Sequence, residues 1–250
     1  MFPAPSTDIM LDSDRFPYPG FVFFIMSKKI VFITNIVTLA RPALFILLAN
    51  MLNSDKYDVV VYCADYYREI FPACKFPMKK VESLSPAEFT RRLRKLRPVF
   101  DSKDVQRDLA QNERIIEAEK PDLIIGDFWP SLQISARQHN VPYLNVLNAY
   151  WDPRINLPYP TIPSENLYWV GSRVTRPVLN KILAPLFRYL VHPLVRARRD
   201  AGLPAIRASL KDVYGEADFY VYPDMPFLYG EKHAEGARFI GPILWSFGDW

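Results

Sequence analysis

The feature that most constrains this chain is a recurrence of short, continuous apolar runs rich in β-branched residues: KKIVFIT at 28–34, YDVVVYC at 57–63, PDLIIGD at 121–127 and PYLNVL at 142–147. A strand that covers a core on one face alternates apolar with polar residues, whereas a run that is apolar throughout must be buried on both faces. Amphipathic stretches of helical length separate the runs, and strands that alternate with helices assemble into a parallel sheet with right-handed crossovers. The pattern predicts an α/β fold, a Rossmann-like doubly wound parallel sheet. No internal repeat is visible.

Helix boundaries follow from capping chemistry. Pro42 is placed as the first residue of a helix running toward Asn53, since proline loses nothing where the N–H has no intrahelical partner. Ser85-Pro86-Ala87-Glu88 reads as a capping box that opens a helix ending near Leu96. Further helices are expected from about Asp104 to Glu119 and from Ser131 to Gln138, with Asn140 as the residue just past the second. The window Ile30 to Leu52 is long enough to cross a membrane, but Arg41 and Pro42 break it, so it reads as a strand followed by a helix. A basic stretch from about Thr175 to Arg199 predicts a helix interrupted or kinked at Pro185 and Pro193. Weak strands are expected near Phe219–Tyr222 and at Arg238–Ile240. The segment Asn148 to Asn166, with Pro153, Pro158, Pro160 and Pro163 among Tyr150, Trp151 and Tyr159, reads as a stiff functional loop.

Composition removes several function classes. Half of the residues are hydrophobic and the net charge is only +4, so neither a disordered chain nor a nucleic-acid binder is expected. Cys63 and Cys74 form no disulfide framework and lie in no zinc-binding pattern, so they are expected as reduced thiols of a cytoplasmic protein and no metal is expected. Asp8, Asp12 and Asp14 stand where a secretory leader carries positive charge. Residues 1–26 are therefore expected to be a disordered extension or the product of an upstream start. Arg173, Arg176, Lys181, Arg188, Arg196, Arg198, Arg199 and Arg207 are interleaved with apolar residues. That stretch could lie against the inner membrane face as a peripheral contact, or be a solvated basic face whose apolar side packs inward.

In an open parallel sheet, ligands bind outside the carboxyl ends of the strands. The residues leaving those ends are Asn35 to Arg41, then Asp127-Phe128-Trp129, then Asn148-Ala149-Tyr150-Trp151. The first exit contains no glycine, so it has neither the turn that lets a pyrophosphate approach a helix N-terminus nor a P-loop. No cofactor is expected. His139, His192 and His233 read as structural or solvated. Asp127, directly after a buried strand, could orient or deprotonate a substrate, or could cap the next helix. Asn35, Thr38, Trp129, Asn148, Tyr150 and Trp151 are the candidates for holding an acceptor, the aromatic ones either as an apolar platform or as ordinary packing.

The segment KPDLIIGDFWPSLQISARQHNVPYLNVLNAYWDP resembles the late strand-helix-strand unit of the amino-terminal, acceptor-binding domain of GT-B glycosyltransferases of the UDP-glycosyltransferase and antibiotic type, and ARFIGPILW resembles the strand and turn that close that domain. The resemblance covers about Ser27 to Trp250. It implies transfer of a sugar from a nucleotide donor to a hydroxyl-bearing small-molecule or lipid acceptor. It also implies a histidine base after the first strand, supported by an aspartate after a later one. Asp127 matches the aspartate. Aligned on Pro42, Thr38 and Leu39 stand where the family has glycine and histidine. The resemblance divides the chain into an acceptor-binding domain at 27–245 and the start of an interdomain linker at 246–250. The donor-binding domain would then lie outside this sequence, in a fragmentary or degenerate product or on a separate donor-binding chain. The competing expectation is a non-catalytic acceptor-binding or regulatory subunit that pairs with a transferase.

Overall fold

The computed structural model describes residues 27–35, 37–65, 71, 73–127, 129–152, 154–155, 172–229 and 237–244, with the side chains of 172–184 excepted. The expectations for 1–26 and 246–250, for His233 and for the loop prolines lie outside the described residues. The strands are β1 (Lys28–Thr34), β2 (Tyr57–Cys63), β3 (Met78–Lys80), β4 (Leu123–Asp127), β5 (Tyr143–Val146), β6 (Phe219–Tyr222) and β7 (Ala237–Phe239). They form one seven-stranded sheet in the order β3-β2-β1-β4-β5-β6-β7, and every pair is parallel. The helices are α1 (Ala40–Asn50), α2 (Pro86–Arg94), α3 (Ser102–Glu119), α4 (Leu132–Gln138), α5 (Ser172–Asp200) and α6 (Leu210–Gly215). This is the doubly wound sheet that the apolar runs predict.

The sheet is apolar on both faces because both are covered. Val31 and Ile33 of β1 share a core with Ile115 and Ile116 of α3 and Leu132 of α4. Ile30 and Phe32, which alternate with them, point the other way onto Phe45 and Ala49 of α1. The Phe32 and Phe45 rings meet edge to face at 5.7 Å. Gly126 of β4 is required by close approach, since a Cβ there would lie 2.5 Å from Leu132 Cδ1 and 2.9 Å from the Tyr143 ring.

Several boundaries differ from the sequence reading. Pro42 is the third residue of α1, which starts at Ala40; the first turn has no intrahelical donors to lose, so proline fits there equally well. Ser85 caps α2 by accepting from the Glu88 N–H at 3.2 Å. The Glu88 carboxylate binds Arg91 and Arg92 instead of reaching back to close the box. The full reciprocal box is at α3, between Asp101 and Asp104. α5 runs unbroken through Pro185 and Pro193. Its inner face, Val191 and Leu194, packs in a third core with Val105 of α3 and Val213 and Tyr214 of α6. Arg198 belongs to that inner side: it is buried and donates to Gln133 Oε1 and Pro204 O, both at 2.7 Å. It therefore cannot take part in a basic outer surface.

β3 was not anticipated, because three residues with two lysines make no apolar run. It is held at the sheet edge by Glu119 at the end of α3, which accepts from Lys79 at 2.5 Å and from Tyr62 of β2 at 2.7 Å and pairs with Lys29 of β1 at 3.1 Å. Burial raises the Glu119 pKa, but these donors outweigh it and bring it down to about 2.

Asp108 of α3 shows the opposite balance. Burial raises its pKa, Arg107 lowers it, and Asp104 and Glu82 raise it again, to about 7 in all. A carboxyl with a raised folded pKa binds its proton more tightly when folded, so its contribution to stability is lost as pH climbs from about 4 to about 7. Asp108→Asn should therefore stabilise the protein more at pH 8 than at pH 5, by about 2 kcal/mol. Urea midpoints at the two pH values check this, and equal gains at both would contradict it.

Candidate functional site

The strand order reverses between β1 and β4, so the connections leaving these two strands pass to opposite faces and open a crevice at their carboxyl ends. Thr34 and Asp127 are partners in the register, which sets Asn35 beside the end of β4. Asn35 is buried, and its Oδ1 accepts from the Val37 N–H at 3.0 Å, which turns the chain toward α1.

That turn delivers Arg41 to Asp127. The Arg41 guanidinium makes a short charge-assisted hydrogen bond with Asp127 Oδ1. Asp127 is 1% exposed, and Oδ2 has no partner among the described residues. Burial pushes the Asp127 carboxyl above its ordinary pKa and the Arg41 charge pulls it part of the way back. Burial alone would lower Arg41, but Asp127, with a further contribution from Asp224, raises it. Asp127 does not cap α4, whose N-cap residue is Ser131; its charge is answered by Arg41 across the crevice.

Further along the same edge, Asp224, just past β6, accepts from Asn148 Nδ2 at 3.0 Å, from the Ala149 N–H at 2.7 Å and from the Tyr229 hydroxyl at 3.1 Å. The β5 exit is thereby tied to the β6 exit. Tyr150 and Trp151 follow in a 3-10 turn, half-buried and edge to face at 5.7 Å. Trp151 leans on Tyr214 of α6 at 6.4 Å, and Lys211 Nζ lies 4.8 Å from the centre of the Tyr150 ring. Below them, Asp152 is fully buried and accepts from the Arg154 guanidinium, at 2.6 Å from Nη2, and from the Tyr222 hydroxyl.

The structure thus brings Asn35, Asp127 and Asn148 to one edge of the sheet, with Tyr150 and Trp151 beside them toward α6. Thr38 is exposed at the start of α1. Trp129 is a correction: its ring is 3% exposed inside the core with Ile124, Leu132 and Tyr143. It is packing rather than a platform, since its ring is enclosed by that core. Leu39 is half-buried and packs with Ala43 and Ile46.

Sequence reasoning missed Arg41 and Asp224 as site residues. Arg41 was placed at the end of the first exit and read as a charge that interrupts an apolar window, but not named as a site residue. Asp224 stands in a segment whose place beside the β5 exit depends on β6 pairing with β5. Chemically the crevice floor offers a neutralised carboxylate and, among the described residues, no imidazole. A guanidinium stays protonated at neutral pH, so Arg41 cannot take over the proton transfer that a histidine at position 39 would perform. Among the described residues no group of three or more His, Cys, Asp or Glu side chains could hold a metal, and no helix is long and apolar enough to cross a membrane.

No protein-family model matches the chain. A PGL/p-HBAD biosynthesis glycosyltransferase of Mycobacterium tuberculosis (strain H37Ra) is 28% identical over 227 residues, which cover 88% of this chain and 51% of the relative. An inactive PGL/p-HBAD biosynthesis glycosyltransferase of Mycobacterium bovis BCG is 28% identical over 227 residues, with 60% of its length covered. A PGL/p-HBAD biosynthesis rhamnosyltransferase of Mycobacterium bovis BCG is 27% identical over 223 residues, with 49% covered. Among solved structures, the glycotransferase of kitacinnamycin superposes with a TM-score of 0.59 at 16% identity, over 89% of this chain and 54% of that one. CalG4, the calicheamicin glycosyltransferase, gives 0.54 at 16% identity, over 88% and 54%. The chain spans about half to three fifths of the length of the curated relatives it matches. In sequence the chain is similar to part of these glycosyltransferases, and it shares its fold with part of the solved ones.

Proposed function

We propose that this chain is the acceptor-holding half of a glycosyltransferase that moves a sugar from a nucleotide-sugar donor to a hydroxyl group of a small molecule or lipid. The observation that carries the reading is the crevice at the β1 and β4 tips, flanked by Tyr150 and Trp151 and built without a glycine in its first turn. Such a crevice can take an apolar, hydroxylated molecule, but its first turn has no backbone cradle for a pyrophosphate. The donor would then be held by a second domain, from further sequence or a separate chain.

A second reading, a non-catalytic acceptor-binding or regulatory subunit, is favoured by one specific feature. Position 39 is leucine, and Asp127 is already neutralised by Arg41. One of the relatives is itself named as inactive.

The purified chain should transfer no sugar from UDP- or dTDP-sugars to hydroxylated acceptors, and calorimetry should find only weak nucleotide-sugar binding. Turnover by the chain alone would overturn the proposed division between halves. Adding a separately expressed donor-binding domain from a relative distinguishes the two readings. Transfer that rises at least tenfold with Leu39→His supports the enzyme half, since a positioned base contributes about 10²–10⁴-fold. Acceptor binding with no transfer in either form supports the subunit.

A further inference from the structure

Residues 86–97 form a short, dense cluster of positive charge, with Arg91, Arg92, Arg94, Lys95 and Arg97 against Glu88 alone. None of the nine residues of α2 is buried, and the helix leans on the protein through the half-buried Phe89. Its carboxyl end is an exposed knob, fastened underneath by Arg92, which donates to the Val99 carbonyl at 2.9 Å.

Two leucines sit on that knob in solvent, Leu93 at 44% exposure and Leu96 at 60%. Leu96 has φ of +49°, the left-handed conformation that normally calls for glycine or asparagine at a helix end. A leucine there is disfavoured both by its backbone and by its exposure. Arg91 and Arg92 are engaged by Glu88, and Arg92 also by Asp104. Arg94, Lys95 and Arg97 are exposed and have no carboxylate in ion-pair range among the described residues.

We propose that the carboxyl-terminal end of α2, residues 91–97, docks on an anionic lipid bilayer. Three unpaired cations would meet the lipid headgroups while Leu93 and Leu96 enter the boundary between headgroup and acyl chain, the arrangement by which an interfacial helix combines electrostatic attraction with apolar burial. The exposed leucines favour lipid over a nucleic acid backbone, which would have no use for them. This knob suits the role better than α5, where Arg198 is buried and Arg196 and Arg199 both face Asp200. Arg92 ties the carboxyl end of α2 to Asp104 at the start of α3, and α3 leads back to the amino end of β4, so this end of α2 lies toward the carboxyl edge of the sheet and a docked bilayer would lie on the side from which a lipid acceptor could enter.

The test uses the full chain and vesicles of phosphatidylcholine with or without about 30% phosphatidylglycerol. Co-sedimentation is expected with the anionic vesicles only, and it should weaken steeply as salt is raised to about 0.5 M. Arg94→Glu/Lys95→Glu should lower the partition coefficient at least tenfold. Leu93→Ser/Leu96→Ser should lower it at least threefold with the circular dichroism spectrum unchanged, because these side chains carry no core contacts. Arg196→Glu/Arg199→Glu should bind like the parent. Binding that ignores lipid charge, survives the α2 substitutions or is lost with the α5 substitutions would overturn the proposal, as would tighter retention on single-stranded nucleic acid than on vesicles.

Discussion

Arg41→Met is expected to destabilise the protein by about 3–5 kcal/mol, the range seen when one partner of a buried ion pair is removed. The variant keeps the volume of the arginine stem and removes the counter-charge of Asp127, a carboxylate 1% exposed whose Oδ2 has no hydrogen-bond partner among the described residues. The pH dependence has a definite sign. The Asp127 pKa is already raised by burial and held back by Arg41, so without the guanidinium it rises further. A raised carboxyl pKa destabilises the folded state as pH climbs through it. The loss should therefore be largest at neutral pH and shrink toward pH 5, where the buried group takes up its proton. Arg41→Met/Asp127→Asn should recover more than half of the single-variant loss, because the cost lies in the orphaned charge rather than in the absent bond. Thermal melts at pH 5 and 7.5, with a drop of about 10 °C for the single variant at the higher pH, measure all three quantities. A double variant as unstable as the single one would show that Arg41 acts through packing.

The second large effect is expected at Asp152. Its carboxylate, with no exposed surface, accepts from the Arg154 N–H at 2.7 Å, from the Arg154 guanidinium and from the Tyr222 hydroxyl. Arg154 in turn lies 3.9 Å above the Tyr220 ring. The group pins the segment after the 3-10 turn to β6. Burial raises the Tyr222 pKa and the hydrogen bond to Asp152 raises it further. Arg154 would be lowered by burial but is raised on balance by Asp152. Asp152→Ala strands both donors and should cost about 3 kcal/mol or more. Asp152→Asn keeps an acceptor oxygen and should cost about half as much. Adding Tyr222→Phe to Asp152→Ala should lower stability little further, since the hydroxyl has already lost its acceptor. Additive losses in denaturant titrations would mean that the two side chains do not act as a unit.

Most of the sheet was legible in the sequence because buried parallel strands are predominantly apolar on both faces. β1, β2, β4 and β5 carry such runs, and each lies where its run predicts. β3 escaped because an edge strand has one free side and tolerates Lys79 and Lys80, one of them anchored by Glu119. α5 was expected to be interrupted or kinked at Pro185 and Pro193, and it is interrupted at neither. Its packing against α3 and α6 through Val191 and Leu194 holds the helix where local propensity would interrupt it.

The candidate site was legible only in outline. The rule that ligands gather at carboxyl strand ends named Asn35, Asp127 and Asn148, but it could not distinguish a residue facing the crevice from one turned into the core. Trp129 follows Asp127 by two positions and belongs to the interior, while Arg41, read as an interruption, supplies the charge that Asp127 requires.

The one-dimensional pattern of this chain determined its class of fold, because burial on both faces leaves a periodicity that no long-range contact is needed to read. The pairing of polar and charged side chains it could not determine. Arg41 and Asp127 are 86 residues apart, and Asp152 and Tyr222 are 70 apart; only the strand order brings each pair within bonding distance. An ion pair leaves no periodic trace in either partner's neighbourhood. Its energy depends on distance and on exclusion of water, which the packed sheet supplies.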